Sequence, residues 1–293
     1  MNRLEYCMAK TMLQPSFEIK IRNAGVYRFP PAYRFETHNH REIEINYINH
    51  GSCIMGINGI FLPLKRGDCL AVYSGIPHQF IVDTRETCRI TQLEFALKGI
   101  EGLKEELPFL RDGLEYQKLS GCENVNDLME NICRIFRASK EEEEKEALLH
   151  LGFFQLFIEL SGKIEGQSKG KSKKGKAGRI AEIISYINEN CEKEINMEEL
   201  ARKYGVSSRY IRKCFQEETG MSCQTYISTL RIAKAKELLW FTSKSATEIA
   251  HETGFGSSQY FCRVFQQYTE MTPLEYRNLW RGQKAEELCI IDF

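Results

Sequence analysis

Four residues of this chain carry side chains that could hold a metal ion or grip a polar molecule. They are His38, His40, Glu44 and, further along, His78. Three imidazoles and one carboxylate make a donor set for Zn, Fe, Mn or Ni. On a strand, residues two apart share a face. His38, His40, Glu42 and Glu44 would then point one way, and Ile43, Ile45 and Tyr47 the other. A polar face opposite an apolar one suits a barrel whose lumen is lined for a ligand. Three uses of the set stay open: a divalent metal, direct polar contact with an organic ligand, or a hydrogen-bonded lining. Ligands favour the mouths of barrels, so Tyr47, Cys53 and Tyr73 join the candidate lining.

A second group of residues suits reading a nucleic acid. The stretch from Ser207 to Gln216 lines up with the stretch from Ser257 to Gln266. The match continues through Thr219/Thr269, Met221/Met271 and Tyr226/Tyr276. In the first copy Asn196 can cap one helix, Gly205 can end it at positive φ, and Ser207 can cap the next. Tyr210, Ile211, Cys214 and Phe215 form a buried stripe there, leaving Arg209, Arg212 and Lys213 on the opposite face. In the second copy Tyr260, Phe261, Val264 and Phe265 are the stripe. Ser258, Gln259, Cys262 and Arg263 face outward. A cationic helix held by a tight turn suits the major groove. Arginine can read guanine at two points, glutamine can pair with adenine, and lysine mainly attracts phosphate.

The surrounding sequence must position both sets. Residues 17–96 read as short strands, with β-rich runs at 43–48, 52–57, 69–73, 78–82 and 89–95. Gly51, Asn58-Gly59, Arg66-Gly67-Asp68 and Gly75-Ile76-Pro77 punctuate them. Such spacing predicts an antiparallel barrel or sandwich. From about 98 the period becomes helical, with Val125, Leu128, Met129, Ile132, Ile135 and Phe136 on one face. The acidic run 141–144 reads as a helix start. The apolar run 147–160 is short enough for a buried helix with two partners, its own barrel and a second subunit. Residues 166–178, rich in Lys and Gly, predict a flexible basic linker. Beyond it the chain reads as helices. The connector 225–240 spans roughly 24 Å at 1.5 Å per residue. With the bodies of the two units added, that can set the readers about one DNA turn apart.

Composition narrows the function classes. The 293 residues carry 40 basic and 40 acidic side chains, so the formal net charge is zero. Any DNA-binding face must therefore be local. Eleven cysteines are scattered singly, and residues 1–20 lack the apolar core of a secretory leader. Reduced thiols in the cytoplasm are expected, and no membrane span.

The second repeat resembles the signature unit of the AraC family of transcription regulators. The resemblance is carried by Ile249-Ala250, Gly254-Phe255, Ser258, Tyr260-Phe261, Phe265, Thr272-Pro273 and Tyr276-Arg277. Tyr226 through Arg231, Ala235 and Leu238-Leu239 look like the family's connector. The likeness covers about 180–281, with two departures: Glu270 where a Gly is usual and Cys223 where Pro or an apolar residue is common. It implies that Arg209, Arg212, Lys213, Ser258, Gln259, Cys262 and Arg263 face the bases. Upstream, His38, His40, Glu44 and Gly51, then Gly67, Gly75 and His78, look like the two motifs of a cupin. Tyr73 and Val82 depart from the second motif.

The expected architecture is multidomain α+β. A cupin-like antiparallel β-barrel would occupy 1–120, a helical dimerisation hairpin 121–165, the linker 166–178 and an all-α DNA-binding domain 179–293. That domain would hold two helix-turn-helix units, at about 196–218 and 246–268. The resemblance implies a ligand-responsive activator of catabolic genes and not an enzyme. Its effector would be a small molecule, with a carbohydrate the first guess. The ligand set is His38, His40, Glu44, His78, Tyr47 and Tyr73, with no cofactor required and a divalent metal one use of the histidines. Partners would be promoter half-sites in double-stranded DNA, a second copy of the chain and RNA polymerase. The competing readings are a metal-dependent cupin enzyme with a helical appendage and an effector-free regulator controlled by a protein partner.

Overall fold

The computed structural model describes residues 3–31, 33–83, 86–170 and 176–282. Helix α1 (Arg3–Met12) leads into strands β1 (Glu18–Phe29), β2 (Arg34–His38), β3 (Ile43–His50), β4 (Ser52–Ile57), β5 (Ile60–Lys65), β6 (Asp68–Val72), β7 (His78–Val82), β8 (Cys88–Lys98) and β9 (Tyr116–Ser120). All pairings are antiparallel. Five strands form one sheet in the order β1-β8-β3-β6-β9, and four form another in the order β2-β7-β4-β5. Asn58 and Gly59, both at positive φ, make the two-residue turn between β4 and β5 that hairpin twist favours. The inner faces of the sheets enclose Ile48, Met55, Leu64, Leu70, Val72 and Val82.

Each sheet has a helical layer on its other face. The five-stranded sheet presents Ile45, Tyr47, Leu93 and Phe95 to Met129 and Ile132 of α2 (Glu123–Arg137) and to Phe153 and Phe157 of α3 (Glu142–Gly170). Burial of each such side chain stabilises the fold by ~1.5–3 kcal/mol. Glu142, Glu143 and Glu144 occupy the first turn of α3, where the helix dipole favours them. That helix is long and apolar enough to cross a membrane by composition. Phe153, Phe154, Leu156, Phe157 and Leu160 are nevertheless buried with the barrel's outer face, while Leu151 and Ile158 stay 58% and 39% exposed.

The flexible linker expected at 166–178 differs from the backbone observed. Helix α3 continues to Gly170, and α4 (Lys176–Asn190) begins before the stretch ends. Lysine sustains a helix about as well as leucine does. Residues 171–175 lie outside the described residues.

The remaining helices are α5 (Met197–Lys203), α6 (Ser208–Thr219), α7 (Cys223–Phe241), α8 (Ala246–Glu252), α9 (Ser258–Thr269) and α10 (Pro273–Gly282). They build two small cores that share α7. Tyr226, Ile227 and Leu230 join Ile211 and Phe215 in the first. Ile232, Ala235 and Leu239 join Ile249, Phe261 and Phe265 in the second. At nineteen residues, α7 is roughly 28 Å long. Ile54 of β4 and Ile81 of β7 complete the first core, so the four-stranded sheet packs its outer face on the helical half.

Candidate functional site

The two helix-turn-helix units are built from the same local devices. Asn196 caps α5, accepting from the N–H groups of Glu198 (2.9 Å) and Glu199 (3.2 Å). Ser245 caps α8, and Glu248 returns a bond to its backbone, closing a capping box. The turn follows Gly205 (φ +65°) in one unit and Gly254 (φ +81°) in the other. Val206 N–H then donates to the Ala201 carbonyl at 3.0 Å, and Phe255 N–H to the Ala250 carbonyl at 2.8 Å. Ser207 and Ser257 cap the reading helices α6 and α9.

The buried stripes differ slightly from expectation. Ile211, Cys214 and Phe215 are buried in α6, and Phe261, Val264, Phe265 and Tyr268 in α9. Tyr210 and Tyr260 are half-buried, packed against the margins of the two cores. Arg209, Arg212, Lys213, Gln259 and Arg263 are exposed, and Ser258 and Cys262 are half-buried. Arg212 lies 3.7 Å from Glu198, and Lys213 lies 3.9 Å from Glu217. Exposed pairs this long bind weakly and leave both cations available to phosphate. The Arg263 guanidinium stacks over the Tyr260 ring at 5.3 Å, which orients it outward.

In the barrel, the segment read as one strand breaks into β2 and β3, with residues 39–42 as a loop between them. His38, His40, Glu44 and His78 still converge, each offering a ligand atom within 4.8 Å of the others. A β-bulge between Phe35 and His38 aids this, because it returns His38 to the inner face. Glu42 does not line the cavity; it contacts Arg22 at 3.5 Å.

Hydrogen bonding fixes how the imidazoles are presented. His38 Nδ1 donates to the Glu36 carbonyl (3.0 Å), His40 Nδ1 to Glu42 (3.1 Å) and His78 Nδ1 to Ile76 (2.8 Å). A carbonyl can only accept, so each Nδ1 carries the proton. Nε2 of His40 and Nε2 of His78 both meet Glu44 Oε2, at 3.0 and 3.2 Å. A neutral ring would aim a lone pair at that oxygen. The contact therefore calls for positive charge, either a second ring proton or a cation among the donors. Burial acts to raise the Glu44 carboxyl, but the hydrogen bonds from His40 and His78 outweigh it and hold the group well below the carboxylate range. The Glu44 hydrogen bond raises His40. Burial acts to lower His78, but the hydrogen bond and charge of Glu44, with the Ile76 carbonyl, together outweigh it and raise the group. His38 is lowered by burial and by the neighbouring His78.

These four residues sit at one side of a cavity of about 340 Å³. Aromatic rings of Tyr27, Phe29, Tyr33, Phe35 and Phe80 wall it, and Asn23, Asn46, Gln92 and Glu94 supply polar groups. Asn46 is buried, and its Oδ1 has no hydrogen-bond partner in the protein. Tyr47 and Tyr73, expected in the lining, are not there. Odd positions of β3 face the helical layer, so Tyr47 packs with Phe95 and α2, while the Tyr73 hydroxyl donates to the Phe109 carbonyl at 2.7 Å. Cys53 is buried among Ile48, Met55 and Cys88. The aromatic wall and the amides of β1 and β8 were missed in the sequence. The alternation of Asn23 and Tyr27 with apolar neighbours was the only signal for them.

Known proteins match both halves. The model of the AraC-like ligand-binding domain matches residues 24–156, and that of a helix-turn-helix domain matches 200–279. The HTH-type transcriptional activator RhaS of Enterobacter sp. (strain 638) is 26% identical over 255 residues, covering 84% of this chain and 89% of its own. RhaS of Yersinia pestis (strain Pestoides F) is 24% identical, covering 85% and 91%. Among solved structures, the DNA-binding domain of AdpA in complex with a target DNA is 26% identical, covering 36% of this chain and 94% of its own at a TM-score of 0.34. With a ligand-binding barrel ahead of a paired helix-turn-helix domain, this chain belongs to the AraC family of DNA-binding transcription regulators.

Proposed function

We propose that the chain activates transcription when a polyhydroxylated small molecule, of carbohydrate type, occupies the barrel cavity. The observation that carries this is the cavity's chemistry. Flat aromatic faces suit the apolar C–H faces of a sugar ring, and clustered amides and carboxylates suit its hydroxyls. Asn46 Oδ1, buried without a partner, would be satisfied by a ligand hydroxyl. Activation is supported by the likeness to the RhaS transcriptional activators.

Arg209, Arg212 and Lys213 are proposed to read one half-site, and Ser258, Gln259, Cys262 and Arg263 the next. The exposure of Arg209, Arg212, Lys213, Gln259 and Arg263 on helices held by tight turns supports this. Dimerisation through α3 is supported by Leu151 and Ile158, two turns apart on one exposed face. RNA polymerase is the expected partner of an activator, and the cytoplasm is where its DNA would be met. No catalytic role is assigned to the barrel.

The four donors also fit a divalent metal. Three Nε2 lone pairs and one carboxylate oxygen converge, and backbone carbonyls hold the rings as outer partners of a metal-bound histidine do. Such an ion would supply the positive charge the cluster calls for and a Lewis-acidic anchor for a ligand hydroxyl.

DNase footprinting on the chain's own upstream DNA, with and without a panel of sugars, tests the reading. A sugar-dependent change in protection is expected. Unchanged protection across the panel, with no sugar stabilising the chain against heat, would overturn the effector assignment. Metal analysis of the purified chain tests the donor set separately.

A further inference from the structure

The effector cavity and the DNA-binding half lie on opposite faces of the same two strands. On β7 the side chains alternate cleanly. His78 and Phe80 line the cavity, while Gln79 and Ile81 face the helices. On β2, Phe35 and His38 face the cavity, and Arg34, Glu36 and Thr37 face outward, the bulge absorbing the odd residue. Among the described residues, none of β4 or β5 lines the cavity.

The outward side chains of β2 meet the second reading unit. The Arg34 guanidinium lies 5.4 Å over the ring of Tyr268, on α9. Glu36 pairs with Lys236 of α7, whose ammonium lies 5.0 Å over the ring of Tyr276, on α10. The first unit is held mainly by β4 and β5, with Ile81 of β7 in its core. Tyr226 Oη and Asn188 Nδ2 both donate to the Phe61 carbonyl on β5, at 2.7 and 3.0 Å. Lys65 donates to the Glu217 carbonyl near the end of α6. A side chain at Gly220 would bring its Cβ within 2.8 Å of Ser52 Cβ on β4.

The two anchorages also differ in balance. Phe61 offers an acceptor that is fully used. At β2 two cations, Arg34 and Lys236, share one acid, and Arg34 Nε and Nη2 are buried without a partner. A buried cation with unmade hydrogen bonds makes the β2 contact the costlier one to keep closed.

We propose that β2 is the output of the effector cavity and acts on the second reader, with Arg34 and Glu36 as positioning residues, while β4, β5 and Ile81 of β7 hold the first reader. The proposal rests on the cavity being the effector site. Occupancy displaces Phe35 or His38, and the same backbone carries the shift to Arg34 and Glu36. The bound effector and the placement of α9 then bias one another reciprocally.

Amide hydrogen exchange on the full chain, read helix by helix, tests this with four variants. Glu36→Gln should speed exchange in α9 and α10 by about fivefold and leave α5 and α6 unchanged, and Arg34→Met, which removes the unpartnered buried cation, should slow exchange in α9 and α10 alone. Lys65→Met should speed exchange in α5 and α6 and leave α9 and α10 unchanged. Phe35→Leu, a change inside the cavity, should follow Glu36→Gln. DNA sites selected from a random pool by Glu36→Gln should lose base preference only at the positions that Gln259→Ala also relaxes. Equal acceleration in both units, or none in either, overturns the proposal. A selective α9 response to Phe35→Leu, in a chain that no sugar stabilises, supports the strand route and counts against the effector reading instead.

Discussion

The first reading unit closes at Gly220 (φ +76°) and the second at Glu270 (φ +60°). Both C-caps are left-handed, and each takes the same backbone bond, from its N–H to the carbonyl of Gln216 or Gln266. Glycine reaches that conformation freely, while glutamate is strained in it. The turn glycines contrast in another way. A Cβ on Gly205 would meet nothing within 4 Å, whereas one on Gly254 would fall 2.5 Å from the Glu192 carbonyl oxygen. The outward faces differ as well, three cations on α6 against Ser258, Gln259, Cys262 and Arg263 on α9. One backbone design thus tolerates different residues at its tight places, and the tolerance lies at different places in each copy.

The sharpest way to break that comparison is at the turns. Gly254→Ala combines left-handed strain with a clash against backbone and should cost ~3 kcal/mol or more. Gly205→Ala carries strain alone and should cost ~1–2 kcal/mol. Denaturant unfolding of the two variants checks the order, and equal losses would mean the Glu192 contact relaxes away. Next in size are the reading faces. Arg209→Ala and Gln259→Ala should each cost ~1–3 kcal/mol at different bases, about one DNA turn apart. Titration against single-base operator variants measures this. A uniform loss across all bases would reduce the residue to a phosphate contact. The smallest effect is a gain. Glu270→Gly should stabilise the chain by ~1 kcal/mol by removing the left-handed strain, less the entropy glycine adds to the unfolded state. A loss would show that the Glu270 side chain contributes more than its strain costs.

The reading units were legible because their signals are local. Asn196, Ser207 and Ser257 each cap within three residues, and Gly205 and Gly254 need only their own φ. The metal-type donors were legible as a spacing, yet the strand drawn through them was not. Residues 39–42 loop out, and the bulge before His38 cannot be seen in an alternation rule. Strand β5 escaped because Pro63 interrupts its pattern, a residue an edge strand can hold. Arg34, Glu36 and Lys236 carried no signal at all. Glu36 and Lys236 meet across 200 positions, and nothing near either residue in sequence marks the other.

The Phe61 carbonyl sits on β5, at the rim of its sheet, and it is occupied by Tyr226 and Asn188. Ile54 and Ile81 on the same outer face are covered by the first helical core. An uncovered strand rim beside apolar side chains is a template for pairing with another chain. The DNA-binding half is thus also the barrel's protection against self-association. A barrel cut free at the end of α3 should be far less soluble than the full chain, and that half is needed for the barrel to stay in solution before any DNA is met.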